Sequence, residues 1–113
     1  MVELSPTAIV VVDAAGVVRF TNERAETLLH DENLLGRRFD ALFSSVDGDR
    51  VTGYLAGLAQ APTSVGMFFS GELAPADGVA GRYVHVHGRN LSSSPGVAGL
   101  LLTLIDGTEA RQR

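Results

Sequence analysis

The 113 residues predict a single α+β domain, and three features of the sequence carry that prediction. The stretch AIVVVDAAGVVRFTNERAETLL, residues 8–29, reads as strand, turn, strand and helix with almost no spare residues. From Leu35 to Ala61 apolar residues recur at helical spacing, and from Ser64 onward the period changes to alternation. At 45% hydrophobic composition, a chain of this length buries its own core without metals or cross-links, and a second domain would not fit.

Ile9, Val10, Val11 and Val12 are β-branched and apolar on both alternating faces, which predicts a strand inside a sheet. Asp13 can bond back to the backbone of the following turn, and Gly16 supplies the positive φ that a short hairpin needs. Val18 and Phe20 alternate with Val17, Arg19 and Thr21, predicting one apolar and one wet face. Asn22 ends that strand and caps a helix, where Glu23 complements the dipole and Ala25, Leu28 and Leu29 form an apolar stripe.

After a polar break at His30 to Asn33, Leu35, Phe39, Leu42 and Phe43 fall at helical spacing and predict a short helix or 3₁₀ turn. Ser44 to Asp49 reads as a second polar break. A longer helix follows from Asp49 to Ala61, with Val51, Tyr54, Leu55 and Leu58 on one face. Gly53 and Gly57 inside it cost about 1 kcal/mol each relative to Ala, so packing must hold this helix and it is the element expected to move. Three strands then follow, Ser64 to Leu73, Arg82 to Leu91 and Val97 to Asp106, separated by PADGVAG and SSSPG. In the middle one Val84 and Val86 point one way and Tyr83, His85 and His87 the other. The last, GLLLTLI, is apolar on both sides and reads as central. Its polar tail, Asp106 to Arg113, is either a helix leading out of the domain or a frayed terminus.

Composition narrows the chemistry. No cysteine is present, which removes disulfides, thiolate nucleophiles and Cys-ligated metals and suits a cytoplasmic protein. All nine basic residues are arginine, so lysine-based catalysis is excluded. A net charge of −4 argues against a nucleic-acid surface. No apolar run approaches the ~20 residues needed to cross a bilayer. His85 and His87 share a strand face, but sequence indicates no third ligand, so half-exposed strand residues beside Tyr83 are the better reading and no metal is assigned. His30 fits the negative end of a helix dipole. Asp47 to Asp49 lacks the further ligands of a calcium loop and reads as a solvated helix start. No serine sits on a strained elbow, and no base and nucleophile pair up, so catalysis is not expected.

Three stretches resemble the PAS domain, a small sensory module of bacterial and eukaryotic signalling proteins. AIVVVDAAGVVRFTNERAETLL looks like the family's opening hairpin and helix, LLGRRFDALFSSVDGDRV like the link and short helices that follow, and LIDGTEARQR like its Asp-x-Thr exit. The resemblance implies a five-stranded antiparallel sheet in the order 2-1-5-4-3 with helices packed over one face. It also implies a pocket between sheet and helices, pairing through the outer sheet face or the flanking helices, and a signal exit at Asp106, Gly107 and Thr108. Gly107 stands where the family usually has an apolar residue, which suggests a looser hinge. With no thiol the flavin-cysteinyl adduct is excluded, and with no histidine in Asp49 to Gln60 the usual haem ligand is missing. No cofactor is required.

Two functions follow from this reading. As a sensor and dimerisation module, the domain would pass ligand- or partner-dependent signals to a fused effector such as a histidine kinase or a cyclic-dinucleotide enzyme. Its interior would then lie between Phe39, Phe43, Leu55 and Leu58 on the helices and Met67, Val84 and Leu102 on the strands. That space either takes a small apolar ligand or is filled by its own side chains. As a pure protein-interaction module with a filled core, it would instead dock a partner or form a homodimer through the face of Tyr83, His85 and His87. The chain is expected to be one domain, residues 1–113, of a longer signalling protein.

Overall fold

A computed structural model describes residues 7–29, 33–75 and 81–107. Five strands form one antiparallel sheet: β1 (Ala8–Val12), β2 (Val18–Thr21), β3 (Gly66–Glu72), β4 (Tyr83–Leu91) and β5 (Gly99–Asp106). Their spatial order is β2-β1-β5-β4-β3, so the strands that are apolar on both faces, β1 and β5, are central. Helix α1 (Glu23–Leu29), a 3₁₀ turn at Phe39–Leu42 and helix α2 (Ser45–Gln60) pack on one face of the sheet. No helix among the described residues is long and apolar enough to cross a membrane.

Side-chain bonds to backbone close the opening unit. Asp13 Oδ1 accepts from the N–H groups of Ala15 at 2.9 Å and Val17 at 3.0 Å, and Gly16 takes φ 83°. The Val17 N–H on Asp13 leads the contacts that hold its carboxyl below the usual carboxylate range. Asn22 Oδ1 accepts from Ala25 N–H at 2.9 Å, capping α1, and from Ile9 N–H at 3.0 Å, tying that cap to β1.

Register sorts the remaining residues into two faces. Ala8, Val10 and Val12 lie beside Leu104, Leu102 and Leu100, which lie beside Val86, Gly88 and Asn90; all face the helices and are buried. On the other face Ile9, Thr103, His87 and Phe68 form one row across four strands.

Three expectations need correction. Val18 and Phe20 do not share a face, because a register shift pairs Val12 with Val18 but Val11 with Phe20, leaving Arg19 as the extra residue. Val18 is 1% exposed and Phe20 52%. Leu35 lies outside the 3₁₀ turn and is 62% exposed. Helix α2 begins four residues before Asp49: Ser44 caps it by accepting from Asp47 N–H at 3.3 Å. Asp47 is therefore inside the first turn and buried, not solvated. The readings at His30, at Thr108 and in the tail fall outside the described residues.

Candidate functional site: the interior, the outer face and the exit

The seven residues assigned to the interior come together between the helices and the sheet. Phe39, Phe43, Leu55, Leu58, Val84 and Leu102 belong to one buried cluster, and Met67 packs against it. The register turns all three strand residues inward: Met67 and Leu102 flank Gly88 in one row, and Val84 lies further along the same face. Aromatic rings occupy much of the space among them. Phe39 and Phe43 meet edge to face at 5.3 Å, Phe43 and Phe69 at 5.8 Å, and Tyr54 tilts against Phe69 at 5.3 Å. The Arg50 guanidinium covers the Phe69 ring at 4.9 Å.

Tyr54 enters this cluster with its polar end satisfied. Its hydroxyl donates to Met67 O at 2.8 Å and stands over Gly88, where an added Cβ would collide with that hydroxyl and come within 2.7 Å of Leu58 Cδ2. Gly88 is thus a packing requirement of α2. Burial pushes the Tyr54 phenol up to about 12, with the Gly88 backbone pulling less strongly the other way.

Sequence reasoning missed two polar residues of this layer. Asp47 Oδ2 accepts from the N–H of Glu72 at 2.7 Å, and its Oδ1 takes Arg50 at 2.7 Å, which fixes the start of α2 to the end of β3. Asn90 donates to Ala59 O at 3.1 Å and Ala61 O at 3.0 Å, satisfying carbonyls at the end of α2 from β4. Together with Tyr54, these bonds hold α2 at both ends and in the middle, although its glycines suggested the most movable element. Asn90 was detectable in sequence, since it continues the inward series Val84, Val86, Gly88.

Tyr83, His85 and His87 project from the opposite face, as alternation predicted, with His85 exposed and the other two half-buried. The His87 ring stacks on Phe68 at 4.6 Å, and His85 Nδ1 shares a hydrogen bond of 2.7 Å with Ser70 Oγ. The exit adjoins these residues. Gly107 N–H donates to Tyr83 O at 2.9 Å, and the His85 ring lies over Gly107 so closely that an added Cβ would come within 2.7 Å of Cδ2. Asp106 ends β5 as an exposed residue. Gly107 is buried and tied to the sheet, where sequence suggested a loose hinge.

The described residues thus form a small α+β domain with an apolar interior and an aromatic, histidine-bearing outer sheet face. The PAS family, described as the PAS fold, matches residues 2–112, and the chain belongs to that family. Among solved structures it is similar to the PAS domain of an HTR-like protein from Haloarcula marismortui, at 26% identity and TM-score 0.72 over 90% of this chain and 87% of that one. It is also similar to the PAS domain of the RpfR quorum-sensing receptor from Cronobacter turicensis in complex with BDSF, at 14% identity and TM-score 0.68, covering 94% and 98%. That receptor domain is solved with C12:0 as well. A sensory box sensor histidine kinase from Vibrio cholerae matches at 17% identity and TM-score 0.61, covering 89% and 81%. The last two likenesses show the fold alone. No curated protein matches the chain.

Proposed function

We propose that this chain is the regulatory module of a larger signalling protein, passing ligand- or partner-dependent signals through Asp106, Gly107 and Thr108 to a fused effector, a histidine kinase or a cyclic-dinucleotide enzyme. The observation that carries this reading is the junction at His85, whose ring lies over Gly107 while Tyr83 O accepts the Gly107 N–H. A change on the face of Tyr83, His85 and His87, from a partner or a second copy, therefore reaches the exit through direct contact. From the other side, a small apolar ligand among Phe39, Phe43, Leu55, Leu58, Met67, Val84 and Leu102 would press on β4, whose alternate residues carry that junction. The chain works in the cytoplasm, pairs as a homodimer and performs no catalysis itself.

A second reading is favoured by the aromatic cluster of Phe39, Phe43, Tyr54 and Phe69: the core is filled, and the input is a protein partner alone. Titration with dodecanoate, followed by amide NMR, separates the two. The sensor reading predicts that signals of Leu58, Met67 and Gly107 shift together. No binding at excess dodecanoate supports the filled core, and binding that leaves Gly107 unmoved contradicts the regulatory reading.

A further inference from the structure

The two borders of the sheet are guarded very differently. At β2 the chain covers its own edge: Val18 N–H donates to Arg37 O at 2.8 Å, Val18 O accepts from Gly36 N–H at 2.8 Å, and Val17 bridges to Arg38. That strand is four residues long and bulged, both devices that discourage further pairing.

At β3 the guard stops short. Leu73 N–H donates to Arg82 O at 2.8 Å. By the alternation of an antiparallel ladder, this turns the backbone groups of Met67, Phe69 and Gly71 toward β4 and those of Gly66, Phe68, Ser70 and Glu72 away from it. Glu72 is covered, since its N–H reaches Asp47 and its carbonyl accepts Ser44 N–H at 2.9 Å. Among the described residues nothing bonds to the outward groups of Gly66, Phe68 and Ser70. The run GMFFSG carries no charge and no proline, and Phe68 is 80% exposed, the highest among the large apolar side chains that stand exposed.

We propose that this open edge takes the same edge of a second copy, antiparallel, with the two-fold axis at Phe68. Gly66 of each copy then faces Ser70 of the other, and Phe68 faces Phe68. In that register every outward N–H and C=O of the three residues finds its complement. The ends match as well. Val65 N–H donates to Pro62 O at 3.0 Å, turning the incoming strand away where Ser44 closes the edge of the first copy. The two Phe68 rings, on the same outer face, cover each other. A foreign peptide gains the hydrogen bonds but neither the end matching nor the ring pair. Strand addition over five residues buries far less than the roughly 800 Å² per partner of a stable interface, so the dimer is weak and concentration-dependent.

The proposal rests on the pairing part of the reading above and moves its contact from the sheet face to the sheet edge. The native chain has no cysteine, so single cysteines report the geometry cleanly. Opposed hydrogen-bonded residues have Cα atoms about 5.5 Å apart, within disulfide range. Phe68→Cys is expected to yield a disulfide-linked dimer on mild oxidation, while Ser70→Cys and Ile105→Cys do not. Phe68→Lys, at an exposed position, is expected to abolish sedimentation as a dimer with unchanged circular dichroism. Cross-linking through Ile105→Cys but not Phe68→Cys would overturn the edge contact and leave pairing through the face standing. A native chain that stays monomeric at millimolar concentration, with no cross-link at any site, would overturn both.

Discussion

Met67 and Phe69 point into the domain while Phe68, between them, is 80% exposed, so one short strand contains both environments of this protein. The inner set is closed. Its apolar groups pack against α2, and its polar intruders, Tyr54, Asp47 and Asn90, all bond to backbone of a neighbouring element. The outer set keeps Phe20, Phe68 and Ile105 in solvent, together with His85 and a strip of β3 backbone that is unpaired among the described residues. An exposed aromatic on an open sheet edge, as at Phe68, favours association over stability. The contrast assigns stability to the inner layer, while the proposed pairing and signalling rest on the outer one.

Substitutions on the two layers should therefore differ sharply. Leu58 is fully buried against Gly88, and Leu58→Ala is expected to cost about 3 kcal/mol in urea unfolding from lost contacts and a residual cavity. A cost near zero would mean that the interior is loosely filled, which would break the contrast. Tyr54→Phe removes one bond to Met67 O and should cost about 1 kcal/mol near neutral pH. It also has a pH signature. The folded phenol is raised from 10.0 to about 12, so the folded state keeps a proton that the unfolded state releases. The Tyr54 contribution to stability is intact below pH 10 and falls as pH rises toward 12, and Tyr54→Phe should lessen that fall. The smallest change is expected from Phe68→Ala, within about 0.5 kcal/mol, because its ring is in solvent in the monomer.

Much of the fold was legible in sequence because its signals are local. Asp13 and Gly16 act within one turn, Asn22 caps the helix that begins beside it, and the alternation in β4 separates Val84 from His85 without knowledge of any neighbour. What escaped depends on a distant strand. The bulge that sends Phe20 outward arises from pairing with β1. Asp47 looked solvated because its partner, the Glu72 N–H, lies 25 residues away. Gly107 looked like a hinge because the His85 ring over it belongs to another strand. The open stretch of β3 is a property of topology: only the sheet order makes β3 a border strand, and only the path of Ser44 covers one end of it.

Hydrogen exchange along β3, read residue by residue in NMR at two protein concentrations, tests the contrast most directly. The amides of Met67, Phe69 and Gly71 should be protected at both concentrations. Those of Phe68 and Ser70 should exchange freely when dilute and gain protection when concentrated. Uniform protection along the strand in dilute solution, or no gain at Phe68 and Ser70 on concentration, would contradict it.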